Sequence, residues 1–153
     1  MPRLEYLLTF RADLKQAVAD IGAVPGGTRR IFDVTGGHFE GPRLQGKILP
    51  SGGDWLLVGP DGVGRLDVRA TFETQDNALI YVQYRGVVTF SEALVAALAS
   101  GVETAFGDSY FMTTPRFESG DPRYAWLNSI VAVGQGRMLP NAVEYRVFEV
   151  QND

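Results

Sequence analysis

Polar and apolar residues alternate most cleanly between Arg65 and Thr74. Leu66, Val68, Ala70 and Phe72 share one face there; Arg65, Asp67, Arg69, Thr71 and Glu73 share the other. A period of two is that of a half-buried strand. Asp76-Asn77 marks a turn, and Ala78 to Val88 is expected to return as the partner strand of a hairpin. Leu4 to Asp13, Thr28 to Val34, Leu44 to Leu49, Asp54 to Val58, Leu127 to Val133 and Val143 to Val150 read as further strands, and His38 to Gly41 as a short resumption before Pro42. Leu14, Val18 and Ile21 stand at helical spacing, which predicts a short helical turn within Ala12 to Ile21. The one convincing helix is SEALVAALAS over residues 91–100, where Ser91 can cap the start and Gly101 can end it.

Between these elements lie turn signals: Pro25-Gly26-Gly27, Pro50-Ser51-Gly52-Gly53, and Gly59-Pro60-Asp61-Gly62. Many short strands and one short helix point to an antiparallel barrel or sandwich. A barrel is preferred, calycin-like or up-and-down, because closure removes exposed strand edges. With no repeat, linker or low-complexity tract, one domain is expected over residues 1–153.

The stretch Tyr110 to Asn128 reads as two aromatic-rich strands around a Gly-Asp-Pro turn. Tyr110, Thr113, Thr114, Phe117 and Glu118 lie on the first, and Tyr124, Trp126 and Asn128 on the second. Such a hairpin can line a cavity with aromatic walls and a few polar groups, as small-molecule sites do.

Composition narrows the function classes. The chain has 153 residues, a net charge of −4 and no Lys/Arg block, which argues against a nucleic-acid partner. It has no cysteine, which removes disulfides, thiolate metal sites and cysteine nucleophiles. One histidine and no cysteine leave no usual zinc set, and the Asp61-Gly62 pair lacks the alternating acids of a calcium loop. The glycines lack dinucleotide-binding spacing. No metal and no cofactor are therefore expected. MPRLEYLLTF lacks the pattern of a secretion signal, and no apolar run approaches the ~20 residues of a membrane helix. A cytoplasmic protein without a membrane partner is expected.

Several motifs then occur in a fixed order: GGHFEGP over 36–42, GGDW over 52–55, Pro60-Asp61-Gly62, LDVR over 66–69, ALIYV over 78–82, TTPRFE over 113–118 and YAWLN over 124–128. In these the chain resembles the bacterial uncharacterised protein family 0311, also called domain of unknown function 3237, from about Leu4 to Val150. The resemblance implies a compact antiparallel β-barrel and no settled reaction. It also favours Asp67 and Arg69 as exceptions on a face that otherwise reads as solvent-facing. The family pattern more often carries Thr where this chain has His38, so His38 is a poor choice for a shared catalytic residue.

A pocket holding aromatics, an Arg and a carboxylate suits an apolar or aromatic molecule bearing a carbonyl or carboxylate. In that reading Asp54, Asp67 or Glu118 is the base, and Arg69, Arg85 or Tyr81 stabilises a developing oxyanion. Trp55, Tyr110, Thr113, Trp126 and Asn128 contact the ligand. Trp55, Trp126, Asn128, Arg69 and at least one of the three acids are expected to border a single cavity. The chemistry would be cofactor-independent isomerisation, hydration, dehydration or cyclisation. Two readings of other classes stay open: a lipocalin-like carrier of a hydrophobic molecule, and a structural protein built as a homodimer or higher homo-oligomer.

Overall fold

A computed structural model describes every residue from Met1 to Asp153. Nine strands follow in order: β1 (Arg3–Leu14), β2 (Ala19–Val24), β3 (Gly27–Glu40), β4 (Gln45–Val58), β5 (Val63–Thr74), β6 (Leu79–Thr89), β7 (Phe111–Glu118), β8 (Ala132–Leu139) and β9 (Ala142–Gln151). The helix α1 (Glu92–Ala99) follows β6, and a 3-10 helix (Pro122–Ser129) follows β7. Strands β3 to β9 pair successively as an antiparallel meander, and β1 closes the ring by pairing with both β9 and β3. The result is a closed eight-stranded up-and-down barrel. β2 lies outside that count. It pairs with Gly27–Ile31 of β3, beyond the segment Val34–Glu40 that β1 occupies.

The alternation read in β5 and β6 holds. Leu66, Val68, Ala70 and Phe72 point inward with Ile80, Val82, Tyr84 and Val88. Each of these larger apolar side chains contributes roughly 1.5–3 kcal/mol by leaving water. From its middle to one end the interior is filled by rings. Phe39 stacks on Phe72 at 4.8 Å between centroids, and Phe10 lies 4.9 Å from Tyr145. Tyr124 and Leu127 of the 3-10 helix close that end. At the opposite end α1 lies over the mouth, with Ser91 Oγ accepting from the Leu94 N–H at 3.2 Å as the expected cap.

Three expectations are corrected. The helical turn within Ala12 to Ile21 does not form. β1 runs on to Leu14, whose N–H donates to the Asn141 carbonyl while the Lys15 N–H donates to that of Asp33. Neighbouring strands capture these backbone groups, so the local spacing has no effect.

The second run of the supposed hairpin, Tyr124 to Asn128, is helical rather than extended, and β8 starts only at Ala132. Asp121 accepts from the Arg123 N–H at 2.9 Å and Pro122 occupies the first turn, both helix-start features. The inward residues are then Tyr124 and Leu127, three apart.

Finally, Leu44–Leu49 and Asp54–Val58 belong to one long strand, β4, whose register against β5 slips between Ile48 and Gly52. His38 likewise lies within β3, past an irregularity at Gly36-Gly37. Gly52 takes φ +98°, and a Cβ there would collide with the Arg69 carbonyl. This bulge needs glycine.

Candidate functional site

Just past that bulge, β4 sends Asp54 inward, Trp55 outward and Leu56 inward. Asp54 is 9% exposed. It lies on the wall of a cavity of about 470 Å³ that opens beneath α1. The cavity is otherwise chiefly apolar, walled by Phe32, Leu56, Leu66, Val88 and Phe90 and roofed by Val95 and Leu98 of α1. One Asp54 oxygen, Oδ1, accepts from the backbone N–H of Asp67 at 3.2 Å. Burial pushes the carboxyl up to about 6. The Asp67 N–H bond opposes that rise, the Asp67 charge adds to it, and Arg29 acts against it. Arg29 is on the outer side, where its guanidinium donates to the Trp55 carbonyl at 2.7 Å.

Two further ionisable groups share the interior with Asp54. Tyr84 of β6 and Tyr145 of β9 lie with ring centroids 5.1 Å apart. Burial holds both phenols well above their ordinary value, and the Asp54 charge opposes their ionisation further. The Tyr145 hydroxyl is fully buried; its one polar partner is the Tyr84 hydroxyl, which helps to raise Tyr145 and is itself lowered by the pairing, but no hydrogen bond of good geometry joins the two. Gly136 of β8 makes room for this packing, since a Cβ there would stand 2.8 Å from ring atoms of Phe111 and Tyr145. Sequence reasoning passed over both tyrosines. Each lies on the apolar face of its strand, Tyr84 among Ile80, Val82 and Val88, and Tyr145 between Val143 and Val147. A hydroxyl on such a face is the signal that could have found them.

The expected convergence on one cavity does not occur. Of the candidate bases only Asp54 borders the interior cavity. Asp67 and Arg69 are on the outer face of β5, not the inner exceptions that the family motif suggested. Asp67 is half-buried, its Oδ1 has no partner, and it stands opposite Arg85 without an ion pair. Arg69 and Arg85 are exposed.

Tyr81, Glu118 and Asn128 border a separate, open groove on the barrel's outside, and Arg85, Tyr110 and Thr113 a second shallow one. Asn128 is engaged locally: its amide accepts from the Ser119 N–H and donates to the Ser119 carbonyl, each at 2.8 Å. Trp55 is 38% exposed on the outer wall. Trp126 packs under Arg43, whose guanidinium carbon sits 3.6 Å from the ring centroid. Thr113 is buried but faces Gly134 across the β7–β8 pair rather than the cavity. His38 is exposed on the outside of β3. Strand alternation explains the scatter: the motifs place neighbours on opposite walls, and Asp54 alone takes the inner one beside the open space.

No group of three or more His, Cys, Asp or Glu side chains stands together as a metal site. No helix is long and apolar enough to cross a membrane.

Comparison with known proteins places these features in a family. A β-barrel-like protein of Acinetobacter baumannii AYE is 39% identical, with a TM-score of 0.86 over 99% of this chain and 97% of that one. A UPF0311 protein of Rhodopseudomonas palustris (strain TIE-1) is 33% identical over 151 residues, covering 97% of this chain and 98% of its own. More distantly, PR-toxin biosynthesis cluster protein 7 of Penicillium roqueforti is 25% identical over 160 residues, spanning 91% of this chain and 84% of its own. The model for "Protein of unknown function (DUF3237)" matches residues 2–150, and the chain belongs to that family.

Proposed function

We propose that the chain is a cofactor-independent enzyme that moves a proton on an apolar small molecule bound inside the barrel. The observation that carries this is Asp54, a lone buried carboxylate on an apolar cavity wall, with its pKa raised to about 6. Such a group is ionised near neutral pH, yet basic enough to accept a proton from carbon or hydroxyl. Desolvation supplies that basicity, and the Asp67 N–H keeps one oxygen pointed while the other is free to reach the ligand.

Tyr84 and Tyr145 stay protonated and lie behind the cavity wall, so Asp54 faces neutral groups there and no competing charge. Isomerisation, hydration, dehydration and cyclisation all need such a base. The Penicillium roqueforti relative, whose name places it in a toxin biosynthesis cluster, supports a small organic substrate.

The test is proton exchange in D2O, followed by NMR on bicyclic ketones such as tetralones. The wild-type protein is expected to speed deuterium entry beside the carbonyl, and Asp54→Asn to abolish that gain. Equal rates for the two proteins would remove Asp54 from the chemistry. A carrier would bind the ketones without exchanging them.

A further inference from the structure

We infer that the cavity takes an anionic amphiphile, an apolar body whose carboxylate is held at the mouth by Lys15 and Arg30, away from Asp54. This rests on the cavity being the ligand site. The argument begins with parity. Thr28, Arg30 and Phe32 of β3 all line the cavity, so Arg30 occupies an inward position in a barrel whose other inward residues at this level are apolar. In register, Phe32 stands opposite Asp54 and Arg30 opposite Leu56. Arg30 is thus one inward step nearer the mouth than Asp54, roughly 7 Å along the strand.

The two cations are also available. Of the chain's two lysines, Lys47 pairs with Glu73 at 3.4 Å, whereas Lys15 lines the cavity and pairs with no carboxylate. Arg30 meets only Asp20, at 3.8 Å, with both side chains more than half exposed. A pair of that kind is worth little and is readily exchanged for another anion. Between the cations and Asp54 the wall is Phe32 and Leu56, and the cavity lining carries no other charge. A ligand with a carboxylate at one end and a ring or chain behind it satisfies every part of this lining. Reversing it would put two carboxylates together.

The test uses a matched pair, 2-naphthoate and 2-naphthamide, competing with the neutral dye N-phenyl-1-naphthylamine. Fluorescence is read at neutral pH with the intact protein, its Lys15→Gln and Arg30→Gln variants, and their combination. The naphthoate should displace dye at about tenfold lower concentration than the amide, a difference of about 1.4 kcal/mol. That advantage should shrink as salt is added. It should vanish in the double variant while the amide is unaffected.

Equal displacement by both compounds would overturn the anchor and leave the proposed chemistry standing. An advantage that persists in the double variant would assign the anchor elsewhere and likewise overturn it. Failure of the dye itself to bind would overturn both this inference and the cavity reading beneath it. Circular dichroism of each variant shows that the barrel is intact.

Discussion

The backbone N–H of Asp67 donates to Oδ1 of Asp54 at 3.2 Å, and this is the one hydrogen bond the buried carboxylate receives. The acid that the motif LDVR offered as a catalytic candidate thus acts through its main chain. Its own side chain lies on the outer face and adds a repulsive charge to Asp54. One hydrogen bond is too few to offset desolvation, which is why the Asp54 pKa rises instead of falling.

Stability should therefore fall as pH rises. Asp54 binds its proton with a pKa of about 6 in the fold, against an ordinary value of 3.8. The raised value favours the fold below about pH 4, and that contribution is lost as pH climbs through 6. By neutral pH the penalty is about 3 kcal/mol. Asp54→Asn keeps an oxygen for the Asp67 N–H and removes the charge. Urea unfolding should show the variant more stable than wild type by about 2–3 kcal/mol at neutral pH, with the gap closing toward pH 4. A gap independent of pH would mean that Asp54 is not desolvated.

The same titration should govern activity. With Asp54 as the base, kcat/KM for the exchange reaction should rise about tenfold per pH unit below 6 and level off above it. Replacing it with Asn should remove that limb. A profile that falls through 6 would assign Asp54 to the acid role instead.

Asn128 should prove structural. Its two 2.8 Å bonds to the Ser119 backbone fix the corner between β7 and the 3-10 helix. Asn128→Ala should cost about 1–3 kcal/mol in denaturant unfolding. Dye binding in the cavity should stay within about twofold of wild type, a difference under 0.5 kcal/mol. A large loss of binding from a fully folded variant would return Asn128 to the site.

The barrel was legible wherever strands are half-buried, because alternation then records the wall directly. β5 is the clearest case: Leu66, Val68, Ala70 and Phe72 each lie inside as their spacing implies. Alternation failed at Tyr124–Asn128, where a cap by Asp121 and a proline turn aromatic residues into a 3-10 helix. It also failed at Ala12–Ile21, where partner strands decide.

The candidate site was legible only in Asp54. Whether an acid faces in or out depends on the bulge at Gly52, which resets the strand in a way the residue types alone do not fix. Lys15 follows β1 and Arg30 lies in β3, with the whole of β2 between them in sequence, and both meet the cavity because β1 and β3 pair.

The buried Tyr145 hydroxyl provides the sharpest separation of stability from function. Its polar neighbour is the Tyr84 hydroxyl, and no hydrogen bond of good geometry joins the two, so it carries a desolvation cost that packing does not recover. Its ring, by contrast, contacts Phe10, Tyr84 and Phe111 and is essential to the filled half of the barrel. Tyr145→Phe keeps the ring and deletes the orphan oxygen. Thermal unfolding of this variant should show a gain of about 1–2 kcal/mol. If the hydroxyl serves only as a spectator, exchange activity should be unchanged. A kcat that drops about tenfold or more in a stabilised variant would instead bring the tyrosine pair into the chemistry. A stabilised enzyme of unchanged activity is the outcome expected here, since neither Tyr84 nor Tyr145 lines the cavity. A variant that is destabilised instead would show that the Tyr84 hydroxyl holds this one and that the pair stabilises the fold.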